Sequence, residues 1–409
     1  MRFSLLNRAA NDLDARLDRR LLRHRRFTRG FARYGWVTFV ALALVITLVA
    51  SFTKVGRSQQ ILYVSEGGDV VMLDPDSGAS SVIYEAGDGA YATGLTRTGG
   101  SRNLAFTVLK ESGGTLRGDI YTVDMNREAR ARITNAAPGE VFASPDFSFG
   151  TGGVSATHYS RTAPPNTFTV QSIGYGGIFL EPNLPGRPAL LGPVWISENA
   201  LFSWSAGESG RMVLKAYNFA ERRQATVYET RNEVGYPAYH RDSNALVFAE
   251  RPRGAPLAES RLRLLVGTDF LPISGIEEGT GVYDPSPPTP ALDGEMAVIW
   301  TDGEEWGIGL LDPETREFRR TDVRVPAGSR NPQISRNGDY VATTGPDGTR
   351  LLIQELATGR EVARVEGLQR LGTTMNKMKE HGLRVPPEAE WFTQANFGWR
   401  ALRDGQVEP

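Results

Sequence analysis

The sequence contains no cysteine. That removes thiolate metal sites, cysteine nucleophiles, Cys-x-x-Cys redox chemistry and a lipidated cysteine anchor, and it leaves a chain that can occupy an oxidising compartment without mispaired disulfides. Histidine is nearly as scarce. His24, His158, His240 and His381 are the only four in 409 residues, and they are far apart in sequence, so no local His-rich metal centre is encoded. A G-x-S-x-G nucleophile elbow, a phosphate-binding G-x-x-x-x-G-K-[ST] loop, a strand-linked G-x-G-x-x-G turn, H-E-x-x-H and an EF-hand loop are also missing. On these grounds no catalytic, cofactor-binding or metal-ligating residue is assigned, and no cofactor is expected.

Net charge is low but unevenly placed. Residues 1–33 hold ten arginines against three aspartates, +7, so the rest of a chain with net charge −1 carries −8. An acidic body argues against nucleic acid as a partner, because phosphate neutralisation needs clustered basic residues. The basic end has a different neighbour. From Tyr34 to Thr53 twenty residues carry no charge, which at about 1.5 Å per helical residue spans the hydrocarbon core of a bilayer. The positive-inside rule then places 1–33 in the cytoplasm, 34–53 across the membrane as a single pass, and everything after a short tether at 54–60 in the periplasm or outside the cell. A cleaved signal peptide is the competing reading, but its basic region would be unusually long and no A-x-A site follows.

Two finer readings attach to this end. Leu5, Ala9, Leu13, Leu17 and Leu21 recur every four residues opposite arginines, the pattern of an amphipathic helix on an anionic cytoplasmic lipid surface, or of an orientation signal alone. Within the span, Ala43, Thr47 and Ala50 share one helical face and are candidates for packing against another membrane helix.

Beyond Arg57 the texture changes to short apolar runs separated by Gly, Pro, Asp and Asn. Residues 331–365 contain four such runs, Pro332 to Ser335, Tyr340 to Thr343, Arg350 to Glu355 and Glu361 to Val365, joined by turns rich in Gly and Asn. The same grammar recurs upstream. Ile61, Leu104, Val154, Leu201, Leu246, Met296 and Tyr340 mark equivalent second strands at intervals of 43 to 50 residues. Four strands at that period describe a propeller blade. The expected fold is therefore all-β, a propeller of about seven four-stranded blades over 61–366, preceded by the transmembrane helix and followed by a helical and aromatic tail at 367–409.

Ser144-Pro145-Asp146-Phe147-Ser148, the stretch Ile334 to Ala342 and the stretch Leu311 to Glu317 resemble the repeat of the TolB-like, or WD40-like PD40, propellers. The resemblance covers about residues 59–366 and implies a fold more than a job, since such repeats serve scaffolds, peptidase gates and lyases alike. Two places depart from the pattern: Asp284-Pro285-Ser286-Pro287-Pro288 and the insert Arg251 to Ser260.

The first repeat lacks an inner strand before Ile61, and an unpaired edge invites aggregation. Residues 389–400 offer extended aromatic pieces that close the ring or else present Trp391, Phe392, Phe397 and Trp399 to a partner. Before them, Leu368, Leu371, Met375 and Met378 mark one face of a helix ended by Gly382. Trp195, Trp204, Trp300 and Trp306 read as inter-blade packing. His158 and His240 receive no role. Asp74-Pro75-Asp76 and Asp302-Gly303-Glu304-Glu305 read as solvated turns. The functional expectation is a membrane-anchored, extracytoplasmic, non-catalytic interaction or accessory subunit whose partners are membrane proteins of a larger complex. The alternative is a metal-dependent propeller enzyme, lactonase or lyase in type, with carboxylates of several blades at the channel mouth.

Overall fold

The clearest repeat forms the strands its turns demand. Arg330–Ile334, Tyr340–Thr344, Arg350–Glu355 and Glu361–Glu366 pair in order as one antiparallel sheet. The turn between the first two shows why. Ser335 Oγ accepts from the amide of Tyr340 at 2.9 Å, the Ser335 amide donates to Tyr340 O at 2.8 Å, and Gly338 supplies the left-handed residue at φ 80°. Inward apolar positions of these strands, Val341, Leu351 and Ile353, are fully buried or nearly so, as a period of two requires.

The computed structural model describes residues 59–401 apart from 98–102, 126–128, 148–153, 164–165, 174–175, 181–188, 198–199, 207–209, 219–220, 222, 371 and 393–395, with side chains for most of them. Ala43, Thr47, Ala50, the basic segment and the expected membrane span lie outside the described residues. Among those described, no helix is long and apolar enough to cross a membrane.

Residues 59–401 build an all-β propeller. All seven sequence markers lie in or at the start of the strand expected of them. The blade count needs correction, however: the described residues form six sheets, not about seven. The difference arises in one place, where the second and third repeats share a single eight-stranded sheet. Its junction is the parallel bridge between Gly118 and Val141. A Cβ at position 118 would sit 2.6 Å from Val141 Cγ1 and 2.8 Å from Leu109 Cδ2, so only glycine lets the two backbones meet. Gly139 N donates to Leu116 O at 2.8 Å and Thr107 Oγ1 to Phe142 O at 3.1 Å across the same seam.

The ring closes through the C-terminal strand Phe397–Ala401, which pairs antiparallel with Gln59–Val64 in the register Tyr63↔Phe397, Ile61↔Trp399 and Gln59↔Ala401. The first blade thus takes its inner strand from well beyond residue 366. Phe397 and Trp399 are buried, packed with Ile61, Ala342, Leu351 and Leu368. Trp399 Nε1 donates to Gln333 O at 2.9 Å, its ring stacks on Tyr340 at 5.9 Å, and Gln333 Nε2 donates to Phe397 O at 3.2 Å, so the strand is fastened to the last repeat as well as the first.

Trp399→Ala in the full chain is expected to lower unfolding stability by about 3–5 kcal/mol, the usual cost of truncating a large core aromatic. Ending the chain after Ala395 is expected to abolish a single cooperative melt. Circular-dichroism melting of the detergent-solubilised protein checks both, and an unchanged midpoint for the alanine variant would show that the ring does not depend on this strand.

Candidate functional site

Between the last blade and the closing strand, the chain makes an excursion that starts and finishes at one residue. Val64 O accepts from the amide of Gln369 at 2.9 Å, while its own amide donates to Asn396 O at 2.8 Å. Asn396 Nδ2 then donates to Gln369 O at 3.1 Å, and Asn396 Oδ1 accepts from the Gly94 amide at 2.8 Å, which seals the base of the loop against the second repeat.

Within that loop the helix Thr373–Glu380 buries Met375 and Met378, two of the apolar positions expected on one face. Leu368 is buried just before the helix, against the first and last repeats; Leu371 lies outside the described residues. Met375, Met378, Leu383 and Ala389 join one apolar cluster with Leu109 of the second repeat, Val141 and Tyr159 of the third, Leu191 and Val194 of the fourth and Val234 of the fifth. The segment therefore packs against inner strands of four consecutive repeats. Its polar side is tied down too. Glu111 accepts from Lys377 Nζ at 2.9 Å and lies 3.3 Å from His381 Nε2; these bonds, that from Lys377 first, hold the Glu111 carboxyl below its usual range.

The four tail aromatics separate. Phe397 and Trp399 are core residues of the closing strand, out of reach of a partner while the ring is closed. Trp391 is partly buried against the same apolar cluster as the helix, with Arg253 5.2 Å over its ring. The side chain of Phe392 is not among those described. Trp195, Trp204 and Trp300 are buried, and Trp204 meets Phe248 of the following blade edge-on at 5.2 Å. His240 Nδ1 accepts from the Ser243 amide at 3.2 Å and lies 2.7 Å from its hydroxyl, a turn-holding position. His158 packs on Phe142 at 4.6 Å beside Glu140.

Carboxylates near the first strands are matched to arginines. Asp284 takes Arg330 at two points, 2.5 and 3.1 Å, and Glu233 takes Nε and Nη2 of Arg251. The charge of Asp284 foremost raises the Arg330 pKa. Among the described residues no group of three or more His, Asp or Glu side chains is placed to hold a metal ion. Asp74 and Asp302 each accept from two following backbone amides, as solvated turns do.

The insert that interrupts the repeat builds a feature the sequence did not reveal. Arg251 to Ser260 runs between the strands Ala245–Arg251 and Arg261–Val266, with one short 3-10 turn at Leu257–Glu259. Gly281 lets it lie close: a Cβ there would fall 2.5 Å from Leu257 O and 2.6 Å from Ala258 Cα. Arg253 locks the insert to the tail. Its Nε donates to Arg231 O at 2.8 Å, Nη2 donates to Gly210 O, and the guanidinium reaches Glu388 at 3.5 Å as well as Trp391.

Beside the insert is a cavity of about 410 Å³ lined by Asn232, Glu250, Glu259, Ser260, Arg261, Arg263 and Thr280 among others. Glu250 sits beneath it with its side chain only 4% exposed. Oε1 accepts from Tyr228 at 2.9 Å, Thr230 at 2.6 Å and Asn232 at 2.9 Å, and Oε2 accepts from Arg263 Nε at 2.7 Å. Desolvation pushes this carboxyl up, but the four donors together outweigh it and hold the group below its ordinary value.

No family model matches the chain, and no curated protein matches it by sequence. Solved structures do match by shape. An oligogalacturonate lyase in complex with manganese is 13% identical with a TM-score of 0.54, over 82% of this chain and 89% of that one. A puromycin hydrolase S511A mutant complexed with PGG is 13% identical with a TM-score of 0.51, over 76% of this chain and 52% of that one. TolB from Acinetobacter baumannii, 14% identical over 76% of this chain and 65% of its own, scores 0.41 and carries no weight. At such identities the likeness shows the propeller fold alone.

Two outcomes follow from this geometry. Arg253→Ala is expected to loosen residues 383–392 without melting the ring, read as faster amide exchange confined to that stretch; exchange unchanged there would mean the apolar contacts suffice. Glu250→Gln is expected to cost about 1–3 kcal/mol near neutral pH by leaving buried donors unmatched. Because the folded pKa of Glu250 lies below 4.5, its contribution is complete above that pH and is lost as pH falls through the folded value. The gap between wild type and variant should therefore narrow below about pH 4.5 in melts taken across that range.

Proposed function

We propose that this chain is a membrane-anchored, extracytoplasmic propeller with a non-catalytic role, an interaction or accessory subunit of a larger assembly of membrane proteins. One observation carries the reading. Met375, Met378, Leu383 and Ala389 of the tail pack into one apolar cluster with repeats two to five, so the blade surface they cover is spent on internal packing. The surface left for partners is the rim and the exposed faces of the blades. Gln59 and Gln60 belong to the first strand, so the tether expected at 54–60 shortens to residues 54–58, and a linker of that length suits partners that are themselves membrane proteins. The basic segment 1–33 adds attraction to anionic lipid on the cytoplasmic side, about 1 kcal/mol for each basic residue near the surface.

The topology part is tested by a reporter fused after Pro409, expected to be active only outside the cytoplasm, and by intact mass, expected to include residues before Tyr34. The accessory-subunit part is tested by gentle detergent extraction and native electrophoresis. The chain is expected to migrate in a complex well above its own 44.8 kDa. Migration as a free monomer after chemical cross-linking in intact membranes would defeat it.

A further inference from the structure

We propose that the cavity beside the insert is a binding site for a carboxylate group, gripped by the guanidinium groups of Arg261 and Arg263. The two arginines stand at alternate positions of one strand, Arg261–Val266, and so project from the same face of its sheet. Both line the cavity. Arg261 is exposed and makes no ion pair with a described residue. Arg263 is held in place from two sides, by Glu250 at Nε and by the Phe270 ring 5.5 Å from its guanidinium carbon, while 40% of its side chain stays exposed. A planar fork fixed along one edge presents its remaining N–H groups in a set direction, the arrangement that suits a carboxylate.

The sign of the ligand follows from which charges are already used. Glu250 is the most enclosed acid in the cavity wall, and both of its oxygens are taken by four donors, so it attracts no incoming cation. A third arginine stands behind the wall, where Arg320 Nη2 donates to the Thr280 hydroxyl at 2.9 Å and to Glu277 at 2.8 Å. Besides Glu250, whose oxygens are already matched, the lining holds one other carboxylate, Glu259, exposed on the insert. It disfavours a ligand with two acid groups and suits one whose second polar group is a donor.

The walls are set before any ligand arrives. Ser260 O accepts from the Val282 amide at 3.1 Å, Gly254 N donates to Glu233 Oε1 at 3.1 Å, and Glu259 N donates to Pro256 O at 3.0 Å, which fastens the insert to the neighbouring blade and to itself. A preorganised site loses less entropy on binding. Its volume lies near the small end for ligand cavities, enough for a single amino-acid residue or one sugar ring. The shared chemistry is a monocarboxylate on a polar frame, and peptide and sugar acids are its two sources.

Titration calorimetry of the full chain in detergent separates the possibilities. The probes are N-acetyl-aspartate amide against N-acetyl-asparagine amide, and glucuronate against glucose. At least one acid is expected to bind while its neutral counterpart does not, and the identity of the binding acid names the source. Arg261→Gln, at an exposed position that leaves the fold intact by its melting curve, is expected to weaken that acid by about tenfold or more. Arg263→Lys should do the same, because lysine lacks a second donor edge to serve Glu250 and ligand together. Equal binding of acid and neutral probe, unchanged affinity in Arg261→Gln, or no binding by either acid up to about 10 mM would overturn the assignment.

Discussion

Five residues, Phe397–Ala401, hold the two ends of the folded unit together. Without their backbone pairing to Gln59–Val64, the first blade would expose a row of unmatched amides and carbonyls, and the ring would have two free edges. The pairing also supplies bulk. Phe397 and Trp399 fill the space between the first and last repeats, and Trp399 spends its indole N–H on Gln333 of the last repeat rather than on its own strand partner. One strand therefore satisfies the first blade through its backbone ladder and the last blade through the Trp399 side chain and the Phe397 carbonyl.

That closure constrains everything before it in the tail. The loop from Gln369 to Asn396 leaves and returns at Val64, so its reach is fixed at both ends and it must lie over the nearby first strands. Met375, Met378, Leu383 and Ala389 give it an apolar underside matched to repeats two to five. Lys377, His381 and Glu388 answer Glu111 and Arg253 at its margins. Exposed pairs of this kind add little stability one by one; what they add here is position.

The insert couples the tail to the cavity. Along one strand and the residues just after it, Glu250 turns to Arg263, Arg251 to Glu233, and Arg253 to Glu388 and Trp391. Alternation of side chains across a strand puts Glu250 and Arg251 on opposite faces, so the acid sits beneath the cavity and the base faces the segment leading into the fifth repeat. A repeat position relieved of its ordinary turn has become the place where blade, tail and cavity meet.

Local pattern settled much of this protein in advance. Short strands, their turns and the period that marks the second strand of each repeat depend on alternation and on Gly, Asn and Asp at particular places, all contained within a few residues, and the strands of 331–365 fall within two residues of where that pattern puts them. The helix near Met375 was legible in the same way; the membrane span expected at 34–53 rests on pattern alone and lies outside the described residues. Sheet membership was not legible in this way. Whether repeats two and three are separate blades turned on one glycine, Gly118, facing Val141. The hydroxyl of Thr93 meets that of Thr374 across 281 positions of sequence, and Asn396 meets Gly94 across 302, distances over which no periodicity carries information. Three of the four donors on Glu250, Tyr228, Thr230 and Asn232, alternate along one strand and the residues just after it, but their meeting with Glu250 and with Arg263 of another strand is set by sheet pairing. Residue type and spacing by themselves determined which segments would be strands; only the closed ring decided which of them touch, because a buried charge or an inner strand finds its partner through the path of the whole chain.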